Sequence, residues 1–139
     1  MTALAALALL PVAQAEDAAA KTVLDKGVRW LVDTKTDDDP QSIAMRLILF
    51  SRMDRAEEER RPLVRRIEDR QNRDGGWSQA TDMASDAWAT GQALYALAHA
   101  GLPPDDPSVS RGRNWEQHVR RLRFQQFRGP QSGCRNVGM

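Results

Sequence analysis

This chain predicts an all-α fold of paired helices, and three observations carry that reading. Apolar residues recur at helical spacing in successive segments: Val23, Val28 and Leu31, then Ile43, Leu47 and Phe50, then Leu63, Val64 and Ile67. Strong breakers separate those segments, at 36–40 ending in Pro40, at Gly75 with Gly76, and at Gly101 with Pro103 and Pro104. The third observation is the run Gln71, Asn72, Arg73, Asp74, Gly75, Gly76, Trp77, whose chemistry suits a tie between helices. With 139 residues, 41% of them hydrophobic and 28% charged, the chain has the composition of at most one ordinary globular domain.

Residues 3–12 form an uncharged apolar run of signal-peptide length, and Ala13, Gln14 and Ala15 supply the small-x-small pattern that precedes cleavage before Glu16. The expectation is a signal peptide over 1–15 and export to the periplasm or extracellular space. The run lacks the usual Lys or Arg after Met1, and a packed amino-terminal helix is the alternative reading. No stretch approaches the roughly eighteen consecutive apolar residues of a membrane span.

The first helix of the repeat domain is expected over 19–35, with Val23, Val28, Trp30 and Leu31 on it and Gly27 allowing close approach. A second starts near Ser42, where Met45, Ile48 and Leu49 widen the apolar stripe enough to suggest an inner, mostly buried helix. The third runs from near Glu58 or Arg61 to Gln71. Its three glutamates, Glu57 to Glu59, favour the positive end of the helix dipole, and Pro62 is tolerable if it lies in the first turn. Arg65, Arg66, Glu68, Asp69 and Arg70 give it a solvated outer face. Ser85 and Asp86 can cap a fourth helix that ends at Gly101, with Trp88, Leu94, Tyr95 and Leu97 as its bulk. A fifth begins around Val109 and carries Trp115 and Val119. The order is outer, inner, outer, inner, and the start of a fifth.

Gly75 and Gly76 can adopt the positive φ that ends a helix and turns the chain, and Asp74 suits the polar position before them. A Gln amide placed just before such a turn can bond backbone groups at a neighbouring helix end, and a following indole can seal it from water. A generic Gly-Gly helix stop followed by a buried Trp is the plainer reading of the same residues.

The segment resembles the QW motif of the squalene-hopene cyclase and protein prenyltransferase superfamily. Gln71, Asp74, Gly75, Gly76 and Trp77 match its second half, and its first half is similar to Lys26, Gly27, Trp30 and again to Arg111, Gly112, Trp115. Residues 85–97 also look like the inner helix that follows such a turn. The resemblance covers roughly 19–116. It implies helical hairpins forming part of an α/α toroid, and an association with isoprenoid or lipid-like chemistry. An incomplete set of hairpins leaves an apolar face uncovered.

After Trp115 the expected aliphatic run and second Gly-Trp turn give way to an Arg- and Gln-rich sequence. The expectation is that truncation or a frame change lies behind that break, with divergence as the alternative. The domain organisation read here is a signal peptide at 1–15, a repeat domain at 16–116, and a poorly ordered basic tail at 117–139.

The superfamily's cyclases use an Asp-x-Asp-Asp acid, which Asp37, Asp38 and Asp39 do not match; beside Pro40 they read as a solvated loop or cap. Its prenyltransferases bind zinc through Asp, Cys and His, but the chain has only His99, His118 and Cys134, so neither metal nor cofactor is expected. His99 reads as a favourable group near a helix C-terminus. Cys134 and its neighbours do not form the thioester sequence of complement-like toroids. Trp30, Asp86, Trp88 and Tyr95 are the residues that could face a ring cavity, with helix capping for Asp86 and packing for the aromatics as the alternatives.

Charge is uneven. The first 59 residues hold seven basic and eleven acidic side chains, and residues 108–139 hold seven Arg and one Glu, within a net charge of +1. No recognisable nucleic-acid module accompanies the arginines, so nucleic acid is not expected as a partner. The function expected is a non-catalytic, exported toroid-like protein that binds a partner protein or an apolar isoprenoid-like ligand, with self-association open. The alternative is part of a terpene cyclase-like enzyme whose acid lies outside this chain.

Overall fold

The computed structural model describes residues 2–14, 17–34 and 39–127. Among them are six helices and no strand: α1 (Thr2–Gln14), α2 (Ala18–Asp33), α3 (Pro40–Arg52), α4 (Glu57–Glu68), α5 (Ala87–His99) and α6 (Pro107–Phe127). Each even-numbered helix packs on the helix before it, and α1, α3 and α5 pack side by side, which makes an inner layer backed by three hairpin partners.

Local chemistry sets the helix starts. Asp17 accepts from Ala19 N at 2.9 Å and Ala20 N at 3.1 Å to open α2, and Asp39 accepts from Ser42 N at 2.9 Å to open α3 with Pro40 in its first turn. Asp86 opens α5 through Ala89 N at 2.9 Å, and Gly101, at φ +88°, ends it. Helix α4 has no side-chain cap; Glu57, Glu58 and Glu59 occupy its first turn instead. Its Pro62 lies beyond that first turn, contrary to expectation, and so removes one helical hydrogen bond, while burial of Leu63 and Ile67 still holds the helix in place.

The core lies between the layers. Ile43, Leu47 and Leu49 of α3 are almost completely buried, and Leu24, Val28 and Leu31 of α2 are buried in the same core. Helix α5 buries Ala89, Ala93, Ala96 and Leu97, so its small residues face α3 closely. Trp88 and Tyr95, expected as packing bulk, are 62% and 53% exposed. Trp88 and Tyr95 are seven residues apart and share the opposite side of α5 from the alanine face.

Two further observations concern the chain ends. Helix α1 is apolar on all sides and buries Ala3, Ala6 and Leu10 as the first member of the inner layer. Residues 117–127, expected to begin a poorly ordered tail, continue α6 as helix. No Gly or Pro stands between Arg113 and Arg128, so nothing in the local sequence stops it. Cys134 and the rest of 128–139 lie outside the described residues, as do Asp37 and Asp38. No described helix is long and apolar enough to cross a membrane.

The layer arrangement makes opposite demands on two side chains of α5. Leu97→Ala is expected to cost about 2–5 kcal/mol by opening a core cavity, whereas Trp88→Ala should cost less than about 1 kcal/mol. Urea midpoints of the two variants check this.

Candidate functional site

Two features can carry function: the turn at 71–77 and a groove on the inner layer. At the turn, Gln71 Nε2 donates to Gly75 O at 2.9 Å and to Ser108 O, in the first turn of α6, at 2.8 Å. Its Oε1 accepts from the Arg111 guanidinium, so both ends of the amide are engaged. Trp77 is 2% exposed. Its indole N–H donates to Ile67 O at the end of α4, 2.7 Å away, and its backbone N–H donates to the buried Thr90 Oγ1 of α5 at 2.9 Å. One seven-residue turn therefore joins α4, α5 and α6.

Asp74 completes the tie. Its Oδ1 accepts from Gly76 N at 3.0 Å and Ser85 Oγ at 2.7 Å, and its Oδ2 accepts from the Trp115 indole at 3.0 Å. Partial burial opposes its charge, but the bonds from Ser85, Gly76 and Trp115 outweigh that effect and hold its pKa below the ordinary 3.8. Asp39 follows the same balance: burial raises its pKa, while bonds from Ser42 bring it below the ordinary value, as befits a cap. Asp106, which caps the start of α6, is lowered chiefly by its bond from Ser108.

Glycine is required where the elements meet. Gly75 has φ +94°, and a Cβ there would lie 2.9 Å from Arg111 O. At Gly112 a Cβ would lie 2.6 Å from the Trp77 ring, so the indole fits over α6 only because that side chain is missing. The half-motif Arg111, Gly112, Trp115 is thus the counterpart of the turn: Arg111 reaches Gln71, Gly112 admits Trp77, and Trp115 reaches Asp74. Thr90 and Ser85 also belong to the tie and escaped the sequence reading, since a Thr or Ser near a helix start reads only as capping potential.

The second copy of the half-motif has different surroundings. Trp30 is 48% exposed on α2, and Val23, one helix face with it, is 54% exposed.

The groove has a volume of about 490 Å³ and lies between α1, α3 and α5. Leu7, Met45, Ile48, Arg52, Trp88 and Tyr95 are among the residues that line it. Of the four residues expected at a cavity, Trp88 and Tyr95 are there; Trp30 sits on the backing helix α2 and Asp86 is occupied as the N-cap of α5. Tyr95 meets His99 edge-on, with ring centroids 4.5 Å apart. Arg52 is the one charged side chain of the lining. A smaller pocket of about 100 Å³ opens where α3 and α5 begin, and Gln41, Arg70, Gln92 and Trp88 are among the residues that line it. No group of three or more His, Cys, Asp or Glu among the described residues could hold a metal ion.

Helical hairpins in two layers, locked by a Gln-to-Trp turn and presenting an aromatic groove, define a toroid-type helical protein. The model of the squalene-hopene cyclase N-terminal domain matches residues 12–118, and the chain belongs to that family. The match leaves out most of α1. No curated protein and no solved structure matches the chain.

Acid should loosen the tie. A depressed folded pKa means that the bonds of Asp74 stabilise the fold above the ordinary value of 3.8 and are lost as pH falls through the lower folded value. Urea midpoints should therefore drop steeply below about pH 4, and Asp74→Asn should flatten part of that drop. An unchanged acid slope in the variant would remove Asp74 from this role.

Proposed function

We propose that this member of the squalene-hopene cyclase family is a non-catalytic, exported scaffold whose inner-layer groove binds an apolar, isoprenoid-like ligand. The groove is the observation that carries the reading. It joins exposed aromatic rings to an aliphatic floor, and its lining contains Arg52 but no carboxyl group. Burying Trp88 and Tyr95 under an apolar ligand would supply the main driving force, since each ring has a large area now facing water. The same face could take an apolar surface of a partner protein.

Gly91 gives the test its specificity. It lines the groove, and a Cβ there would meet nothing within 4 Å, so Gly91→Leu can fill the groove without disturbing the core. Squalene and a prenyl alcohol serve as probes, followed through tryptophan fluorescence. Saturable binding that weakens by about tenfold or more in Gly91→Leu, with thermal stability kept, is the expected result. Equal binding by both chains, or none, would move the ligand elsewhere or remove it.

Family membership favours one other reading, in which this chain forms part of a terpene cyclase-like enzyme and the proton donor comes from residues outside it. Incubation of this chain alone with squalene separates the two. Cyclised product would overturn the non-catalytic reading.

Export rests on the apolar α1 and the Ala13, Gln14, Ala15 triplet. Cleavage after Ala15 would also remove Ala3, Ala6 and Leu10 from the inner layer and Leu7 from the groove, leaving the groove's lining on α3 and α5, Trp88 and Tyr95 included. The exported chain is expected to begin at Glu16 by amino-terminal sequencing; a mature protein that keeps residues 1–15 would make α1 a permanent member of the fold.

A further inference from the structure

The apolar groove has a polar neighbour. Trp88 and Gln92 line both the groove and the smaller pocket of about 100 Å³, and they stand one turn apart on α5. Buried apolar side chains, Ile43, Ile67, Trp77 and Ala93 among them, form part of the pocket's wall. Its lining also gathers three glutamines from separate elements: Gln41 in the first turn of α3, Gln79 in the loop after Trp77, and Gln92 on α5. None of the three makes a side-chain hydrogen bond to a described residue, unlike Gln71, whose amide is engaged at both ends. Pro40 and Arg70 line the pocket too, and they are shared with a further hollow whose lining includes Asn72, Ser78, Thr81 and Asp82. The surface thus passes from apolar, through amide, to polar along adjoining hollows.

We propose that the smaller pocket takes the hydroxyl head of an amphiphilic isoprenoid, an alcohol and not a plain hydrocarbon, whose chain lies in the groove. The inference rests on the groove reading above and names the ligand class within it. The amides identify the head. A primary amide both donates and accepts, and so does a hydroxyl, so the glutamines can satisfy both functions of one O–H whichever way it turns. Charge argues against the anionic heads that an isoprenoid can carry. Arg70 is the cation of the lining and Asp39 is its anion, so a diphosphate or carboxylate would gain one favourable charge and meet one unfavourable charge. The Arg70 guanidinium also donates to Arg66 O at 3.4 Å. Size agrees with a small head: a water molecule needs roughly 10–15 Å³ of such space. The pocket's volume of about 100 Å³ therefore holds a terminal carbon, its hydroxyl and a bridging water.

Tryptophan fluorescence titration of the full chain with a prenyl alcohol, the hydrocarbon of the same carbon skeleton and the corresponding prenyl diphosphate tests it. Replacing Gln41 and Gln79 together by Leu is the informative variant, because both side chains are exposed and neither lines the groove. It should weaken binding of the alcohol by about tenfold and leave the hydrocarbon no weaker, with thermal stability kept. Comparing the two chains ligand by ligand cancels the different solubilities of alcohol and hydrocarbon. Gly91→Leu, which fills the groove, should weaken both ligands alike. An alcohol unaffected by the double variant, an equal loss of alcohol and hydrocarbon in it, or a diphosphate that binds the native chain more tightly than the alcohol would each overturn the head subsite and leave the groove reading standing. No binding of any ligand to the native chain would remove the groove reading, and the subsite with it.

Discussion

Trp77 can lie over α6 only because residue 112 has no side chain, and that contact sets the distance between two hairpins. A Cβ at Gly112 would sit 2.6 Å from the ring, inside any real carbon contact. The indole cannot retreat, since its N–H is held by Ile67 O and its backbone by Thr90. The position of α6 against α4 and α5 follows from this one shape requirement. Polar bonds then fix its rotation, with Gln71 holding Ser108 O and Asp74 holding the Trp115 indole. Apolar packing sets the spacing and hydrogen bonds set the register, which is a division of labour suited to a repeated unit.

The same requirement explains why the inner layer can present a groove. A turn that clamps three helix ends relieves α5 of the need to bury its bulky residues. Its packing onto α3 is carried by Ala89, Ala93, Ala96 and Leu97. Trp88 and Tyr95 are thereby left on the far side, where ordinary hydrophobic economy would not keep them. Exposure of two aromatic rings on one helix face is a consequence of close alanine packing behind them.

The parts of this architecture that were legible in the sequence were those set by local rules. Ile43, Leu47 and Phe50 announced a buried helix because their spacing admits no other face, and Asp39 and Asp86 acted as caps where Pro40 and the preceding loop made capping useful. The Gln and Gly-Gly-Trp residues marked the tie. What escaped were features decided at longer range. Bulk suggested that Trp88 and Tyr95 were core, yet small residues won that side of α5. The loss of family pattern after Trp115 suggested an end to order, yet Arg, Gln and Leu sustain a helix without an apolar stripe when nothing breaks it. The half-motif at 111–115 was visible as residues, but its role as the receptor of the 71–77 turn required the fold.

Lys26, Gly27 and Trp30 carry the argument one step further, because they repeat the types and spacing of Arg111, Gly112 and Trp115 in another setting. On α6 the pattern faces a turn that supplies a Gln carbonyl, an indole and a carboxylate, and each residue gains a partner. On α2 the same types leave Trp30 half in water, with Val23 exposed on the same face. Similar residues at the same spacing thus yield a lock in one place and an open surface in the other. The motif specifies what a helix can receive; whether it does so is decided by the complementary turn, and in this chain Gln71, Asp74, Gly75 and Trp77 are committed to α6.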